Sequence, residues 1–450
     1  MIHKFQQNGY FIVLDVNTGA IHLVDELVYE ILEYNKPAQL TDGQLEDLRE
    51  KYGRDAVADA LDETKELIEQ GLLYSEPAVY EADGEAYYMK ALCLLVAQEC
   101  NMRCAYCFAQ EGEYHSRQEQ HGPSLMNTET AHTAIDFLIK SSGERHNLEV
   151  DFFGGEPLLN FDVIKQTIAY ARVQEKEHGK NIRFTLTTNG LLLDDEKAAF
   201  INEHMHNLVL SHDGRKEIND KHRGSGSYDK LTDKFINLAN ARDQDNYYIR
   251  GTFTAKNLDF AEDVLHLADL GFKQISIEPV INQNGELALD FSHIPELMAS
   301  YDTLAKEMLV REQNGAGFNF FHFMMDLENG QCFSKKITGC GAGYEYLSVT
   351  ADGRLFPCHQ FTGIEKFALG DVFTGIKNPG ISERLSACNV INNEICQDCW
   401  AKYHCSGGCV ANAYNENGNL DKPDEIGCTL MKKRIECALM IAAARASGGA

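Results

Sequence analysis

The chain has 450 residues, a formal charge of −27, ordinary aromatic and aliphatic content and no low-complexity tract. Its length allows two or three domains, and its charge opposes non-specific binding to nucleic acid or to an anionic membrane. No apolar run approaches the roughly 20 residues that span a bilayer, and no apolar segment opens the chain, so a cytoplasmic protein is expected.

Residues 1–80 open with two predicted strands, 10–14 and 20–24, joined by a hairpin turn at Asn17-Thr18-Gly19. Helical spacing follows at Leu27, Ile31 and Leu32, then Leu45 and Leu48, then Ala56, Leu61 and Ile68. Gly71 is placed to cap the last helix, and Leu72-Leu73-Tyr74 reads as a closing strand. A small β-hairpin with helices is the outline of a winged helix. Six Lys/Arg against sixteen Asp/Glu in this region oppose phosphate contact, so it is not expected to hold DNA. Residues 77–87, rich in Glu and Ala, read as a linker.

From about 88 to 310 the pattern alternates strand, loop and helix. Strands are predicted at 91–97, 148–153, 182–187, 207–211, 248–253 and 274–278, with helices such as 129–139, 161–176 and 230–241 between them. Six β/α units argue for an α/β fold, an open partial (β/α)6 TIM-like barrel whose site lies where strands run into loops. A bridging segment follows at 311–339. From 340 to 450 periodicity fades into a cysteine-rich, turn-rich tail, where clustered ligands rather than a large apolar core are expected to organise the chain.

The 14 cysteines are unevenly placed: none precedes Cys93, four lie between Cys93 and Cys107, and ten lie from Cys332 onward. Structural thiols scatter, whereas ligands cluster. Cys100, Cys104 and Cys107 at C-x3-C-x2-C spacing suit three irons of a [4Fe–4S] cluster with one iron left open, although the spacing alone also fits zinc. At the end of the second predicted strand stands Gly154-Gly155-Glu156-Pro157. The third ends in Thr187-Thr188-Asn189-Gly190, the fourth in Ser211-His212-Asp213-Gly214 with Arg223 beyond, and the sixth in Ile277-Glu278-Pro279. Singly these are ordinary turns, and Arg223 a solvated side chain; their order on successive strands is the stronger signal. In the tail, Cys340, Gly353 and Cys358 are followed by Cys396, Cys399, Cys405, Cys409 and Cys428, while Cys93, Cys388 and Cys437 fit no ligand pattern. A rubredoxin-like or zinc-ribbon reading of Cys396 and Cys399 leaves the others unexplained.

The barrel motifs resemble those of the radical S-adenosylmethionine (SAM) superfamily, and the tail resembles the SPASM extension of its peptide-modifying members. The resemblance implies three [4Fe–4S] clusters and SAM. It implies a SAM-binding cluster on Cys100, Cys104 and Cys107, a nearer auxiliary cluster on Cys340, Cys358 and Cys409, and a farther one on Cys396, Cys399, Cys405 and Cys428. Two auxiliary cubanes take eight ligands and the motif supplies seven, so Cys332 completes the nearer set or one iron stays open for a substrate thiolate; the open site is the favoured reading. By the same resemblance Tyr106 packs near adenine, Gly154, Gly155 and Glu156 present backbone carbonyls to the cofactor's ammonium, and Thr187 and Asn189 lie near the cofactor. Ser211 meets the ribose, Arg223 pairs with the cofactor carboxylate, and Ile277 lines the adenine pocket. The N-terminal region resembles the recognition element that captures a leader peptide as an added β-strand, and its acidity suits a basic leader; an accessory domain without a partner is the alternative.

Recognition element, barrel and tail in this order most resemble the sactisynthases, especially the maturases of six-cysteine (SCIFF) peptides. The implied function is formation of a thioether in a ribosomally made precursor peptide, with flavodoxin or ferredoxin as reductant. Sulfatase-maturase-like oxidation, carbon–carbon crosslinking and a non-catalytic iron–sulfur electron carrier are the alternatives. No residue stands out as a general base.

Overall fold

The computed structural model describes residues 1–33, 40–77, 88–109, 123–242, 244–281, 285–325, 327 and 333–448. The predicted linker at 77–87 (beyond Pro77) and Cys332 lie outside them.

The N-terminal region is a three-stranded antiparallel sheet of β1 (Ile2–Gln7), β2 (Tyr10–Asp15) and β3 (Ile21–Val24), in the order β1-β2-β3. Helices α1 (Glu26–Ile31), α2 (Asp42–Tyr52) and α3 (Arg54–Glu69) follow. Sequence reading missed β1, although Asn8 and Gly9, at φ of 50° and 84°, form the two-residue turn that marks a hairpin. The predicted strand at Leu72-Leu73-Tyr74 is instead a bend, with Leu73 buried in the domain core and Asp15 accepting from the Ser75 amide at 3.0 Å. The continuous apolar run of β2 has a structural reason. Val13 faces a core with Leu27, Ile31 and Val57, whereas Ile12 and Leu14 join the principal core on the opposite face. A sheet buried on both sides needs no alternation.

The barrel strands are β4 (Ala91–Ala97), β5 (Asn147–Gly154), β6 (Asn181–Thr188), β7 (Asn207–Ser211), β8 (Tyr247–Phe253) and β9 (Gln274–Pro279), each within a residue or two of its predicted bounds. They lie in chain order and parallel, so every strand ends at the same rim. Two further parallel strands extend the sheet: β10 (Asn319–Phe320) beside β9, and β11 (Tyr346–Val349) beside β4. Three short antiparallel strands continue from β11: β12 (Arg354–Phe356), β13 (Gly370–Asp371) and β14 (Gly375–Ile376), giving 11 strands in all. The first strand of the cysteine-rich tail is therefore part of the barrel sheet.

One face of the sheet packs on helices through residues such as Leu92, Leu94, Val150, Phe152, Phe184, Leu210 and Ile275. The other, concave face carries the alternate residues, among them Cys93, Leu95 and Phe153. The tail corrects the expectation that it lacks an apolar core. Its last helix (Glu425–Ala446) buries Leu430, Ile435, Leu439, Met440 and Ala443 in the principal core, against the helix Ile294–Gln313 and the N-terminal sheet. A helix apolar on most sides is a buried one. Among the described residues no helix is long and apolar enough to cross a membrane.

Candidate functional site

The loop after β4 carries Cys100, Cys104 and Cys107, and the neighbouring strand ends hold it in place. A Cβ on Gly154, whose φ is 134°, would lie 2.1 Å from the Ala97 carbonyl oxygen, and one on Gly155 2.3 Å from that of Glu99. Close backbone approach is thus the first reason for both glycines. It lets the Gly155 and Glu156 amides donate to the Ala97 and Glu99 carbonyls, at 2.7 and 2.8 Å. The Glu156 side chain is fully buried and joins two strand ends. It accepts from the Leu158 amide at 2.9 Å, the Thr188 hydroxyl at 2.8 Å and the Asn189 amide at 2.8 Å. Burial pushes its carboxyl up to about 7 despite these three donors.

The far side of the loop is fixed by the segment after β7. The Ala105 amide donates to the His222 carbonyl at 2.8 Å. The Tyr106 hydroxyl donates to both carboxylate oxygens of Asp213, at 2.9 and 3.0 Å, with its ring edge-on to His222. Tyr106 is therefore engaged as a latch on Asp213. Arg223, expected to meet a cofactor carboxylate, already pairs with the buried Asp213 at 2.9 Å, because a buried guanidinium needs a counter-charge. Its Nε has no hydrogen-bond partner among the described residues. Burial opposes ionisation of Asp213, but Arg223 and His222 outweigh it and hold the carboxyl at about 2.

Asn189 donates to Asn101 at 2.8 Å, with Cys100 Sγ 3.6 Å away, which brings it to the cluster loop. Thr187 and Ser211 are half-buried on the concave side of β6 and β7. Ile277 is different: its side chain is fully buried in the helix-facing core, and its neighbours Ser276 and Glu278 take the concave face. The Ile277 side chain therefore faces the helices and not the concave side.

The ligand-candidate thiols fall into three groups within electrostatic reach of one another. Cys100, Cys104 and Cys107 form one group, Cys340, Cys358 and Cys409 a second, and Cys396, Cys399, Cys405 and Cys428 a third. Burial pushes Cys104 and Cys405 up to about 12 and Cys428 to about 11, so ligation there must release protons. Among the described residues no three His, Cys, Asp or Glu side chains converge closely enough for a single ion. A tetrahedral zinc with Zn–S bonds of about 2.3 Å draws its thiolates together, whereas a cubane spreads them over separate irons. Sets of three, three and four thiols are a donor chemistry that irons of a cubane accept. Outside these sets, Cys437 is buried in the principal core and accepts from Gln7 at 3.2 Å. Cys388 accepts from Arg384 at 3.0 Å near the surface. Cys93 is buried on the concave face beside Tyr346 and within reach of Cys358.

Sequence reading overlooked a polar group at the end of β9. Glu278 accepts from Arg250 at 2.7 Å, with His322 Nε2 3.9 Å away. Burial opposes its ionisation, but Arg250, His322 and Arg434 hold its carboxyl at about 2. Glu278 opens onto a cavity of about 370 Å³ whose wall also includes Cys405, Cys409, Cys428 and Arg434. Glu278 stood in view in the Ile277-Glu278-Pro279 motif, but Arg250, His322 and Arg434 are far apart in sequence, and only the fold unites them.

Comparison with known proteins places this arrangement. Residues 94–277 match the Radical SAM superfamily. Over 446 residues the chain is 22% identical to the radical SAM cyclopropyl synthase TigE of Paramaledivibacter caminithermalis, covering 93% of this chain and 90% of that one. Over 366 residues it is 22% identical to the cysteine-type anaerobic sulfatase-maturating enzyme of Clostridium novyi, covering 77% and 95%. Among solved structures, Streptococcus suis SuiB bound to S-adenosylmethionine superposes with a TM-score of 0.53 at 16% identity, over 95% of this chain and 98% of that one.

Proposed function

We propose that this chain, whose residues 94–277 match the radical SAM superfamily, is a radical SAM enzyme that modifies a ribosomally made precursor peptide by forming a thioether between a cysteine sulfur and a carbon of an acceptor residue. The observation that carries the peptide reading is at the N-terminal sheet. There, among the described residues, β3 pairs with β2 alone, and it borders a groove of about 200 Å³ lined by Val13, Leu73 and, from α3, Glu63, Thr64 and Leu67. An open strand edge beside a groove of mixed polarity suits an added strand, with main-chain hydrogen bonds for affinity and pockets for alternate side chains. Asp25 and Glu63 at its margins suit a basic leader. Relatives named for peptide or protein maturation support the reading, and SuiB has itself been captured with its precursor peptide SuiA.

Three [4Fe–4S] clusters on the three thiol groups, with SAM at the first, are part of this proposal. When bound, the first cluster and SAM supply a 5′-deoxyadenosyl radical that takes a hydrogen atom from the peptide. The chain's own residues do the rest. Tyr106, Asp213, Arg223 and His222 lock the cluster loop against the β7 end, and Gly154, Gly155 and Glu156 lock it against β5 and β6. The N-terminal sheet, docked through Gln7 on Asp302 of the helix Ile294–Gln313 at 2.6 Å and on Cys437 of the last helix at 3.2 Å, keeps a captured leader tethered to the barrel rim and raises the local concentration of the rest of the peptide. Joining carbon to sulfur at the expense of a C–H and an S–H bond releases two electrons and two protons. One hydrogen atom goes to the radical; the remaining electron would be accepted by an oxidised cluster that the tail thiols would hold, and the remaining proton by solvent.

The test is anaerobic incubation with SAM, reductant and a cysteine-bearing peptide preceded by a basic leader. The expected products are 5′-deoxyadenosine and a peptide lighter by two hydrogens, with one fewer thiol open to alkylation. A second reading, ring formation between carbons, is favoured by the similarity to TigE along nearly the whole chain. It predicts the same mass loss with every thiol still alkylatable, and that result overturns the thioether. Absence of 5′-deoxyadenosine under any condition overturns both.

A further inference from the structure

We propose that Arg250, on the concave face of the barrel, is a specificity-determining residue that binds the carboxylate of an acidic side chain in the modified part of the peptide. The assignment rests on the peptide-modifying function proposed above and adds a chemical feature of its substrate and the residue that reads it.

Along β8, Tyr247, Ile249 and Phe253 are buried in the helix-facing core, while Tyr248, Arg250 and Thr252 take the concave face, where Arg250 is the one exposed residue. Among the residues that β4–β9 turn to this face near their C-terminal ends, it is the only cation. That end of the strands is where an α/β barrel builds its site. The backbone of Arg250 belongs to the frame that holds the cysteine loop. Its carbonyl accepts from the His212 amide at 3.0 Å, and the Thr252 amide donates to Asp213 at 3.0 Å. On the other side, Arg250 and Glu278 are the two charges that act on His359, the residue after Cys358. The guanidinium thus stands between the barrel thiols and the three-thiol group of the tail.

Arg250 is held but not saturated. Its Nη2 donates to Glu278 at 2.7 Å, whereas Nη1 and Nε have no acceptor among the described residues, and the side chain is 48% exposed. Arg215 of the same chain shows a fork in full use: Nη1 and Nη2 donate to Asp259 at 2.9 and 2.8 Å, and Nε to Asp263 at 2.8 Å. One guanidinium can therefore serve two carboxylates, and Arg250 serves one. Glu278 is itself shared, since Arg434 also acts on it, and burial keeps the neighbouring His322 uncharged. Two guanidinium groups thus answer to a single carboxylate. A second carboxylate balances them, and its two oxygens and charge suit the uncommitted nitrogens better than the single neutral oxygen of an amide. The peptide that fits pairs a basic leader with an acidic residue in its modified part.

The experiment is anaerobic calorimetric titration of the reconstituted full chain with capped alanine-based pentapeptide amides whose central residue is Asp, Asn or Lys. The Asp peptide is expected to bind at least ~5-fold more tightly than the other two. Arg250→Gln removes that preference, and Arg250→Lys, which keeps the charge and loses the fork, retains part of it. Iron and sulfide content, and SAM affinity by equilibrium dialysis, match wild type in both variants. Equal binding of the three peptides, or binding of none, overturns the assignment, as does a preference that survives Arg250→Gln. Weaker SAM binding in Arg250→Gln also overturns it, because Arg250 then holds the cofactor's carboxylate, and lost iron does so because Arg250 then serves the thiol groups. These peptides carry no leader, so a failure here is separate from failure of a basic leader to bind at β3, which counts against the proposed function itself.

Discussion

The thiols of the barrel loop and those of the tail are held by different means. Around Cys100, Cys104 and Cys107, strand ends and a buried charge network converge, and the fixed points include main-chain bonds and fully buried side chains such as Asp213 and Glu156. Around Cys396, Cys399 and Cys405 the chain runs through two four-residue helical turns, Glu394–Gln397 and Lys402–Cys405. These are held by local contacts, such as Asn393 capping the first turn and Asn389 bonding to the Ile391 amide. Cys340 and Cys409 are exposed. The barrel site is thus built by the sheet before any ligand arrives, whereas the tail's geometry rests on turn chemistry and gains stability from whatever its thiols bind.

Removing iron under oxidising chelation probes that contrast most strongly. Limited proteolysis is expected to open 388–428 while 128–313 stays protected; equal loss of protection in both regions breaks the comparison. Within the loaded protein, replacing Cys100, Cys104 and Cys107 together by Ala is expected to abolish 5′-deoxyadenosine formation. Iron falls from about twelve to about eight per chain on the three-cubane reading, with the melting temperature nearly unchanged. About four irons falling to none removes the auxiliary pair.

Asp213→Asn strikes the charge network instead and leaves Arg223 buried without its counter-charge, at a cost of about 3–5 kcal/mol in urea unfolding of the iron-free chain. The pH dependence has a definite sign. Asp213 is held at about 2 in the folded chain, below the ~3.9 of an unfolded aspartate, so its contribution is full at neutral pH and is lost as pH falls from about 4 to about 2. The variant flattens that segment of the stability curve, and an unchanged slope shows that Asp213 is not the carboxylate responsible. Gly155→Ala forces a methyl against the Glu99 carbonyl and is expected to destabilise by ~1–3 kcal/mol while displacing the cluster loop, read as weaker SAM binding by equilibrium dialysis.

The smallest effect expected lies where the N-terminal sheet meets the tail. His3 of β1 stacks on Trp400 at 3.6 Å between ring centres, in parallel planes, and also bonds to Glu436 at 3.0 Å. Trp400 adjoins Cys399 and is the only tryptophan in the chain, so His3→Ala is expected to shift its fluorescence and to cost ~0.5–1.5 kcal/mol. An unmoved emission maximum excludes the contact.

Much of this was legible in the sequence because the signals were local. Strand periods, the Gly-Gly-Glu-Pro and Thr-Thr-Asn-Gly turns and the cysteine spacings each lie within a dozen residues, and periodicity and turn chemistry act over that range. The Asn8-Gly9 turn that marks β1 is equally local, although the strand before it does not alternate cleanly. What sequence did not yield depends on partners far apart along the chain. Arg223 has its charge answered by Asp213, Tyr106 is a latch, Glu278 meets Arg250, and Arg434 reaches the barrel rim from the last helix. That helix read as part of an irregular tail, because its apolar residues run nearly all round it and show no single face.

The sequence by itself thus determined the elements and the chemistry they carry, since these are written in short-range pattern. Which charges pair, which face of a strand a residue takes, and which surfaces the last helix covers were decided only by tertiary packing. Burial in a common core is what makes a distant partner energetically necessary.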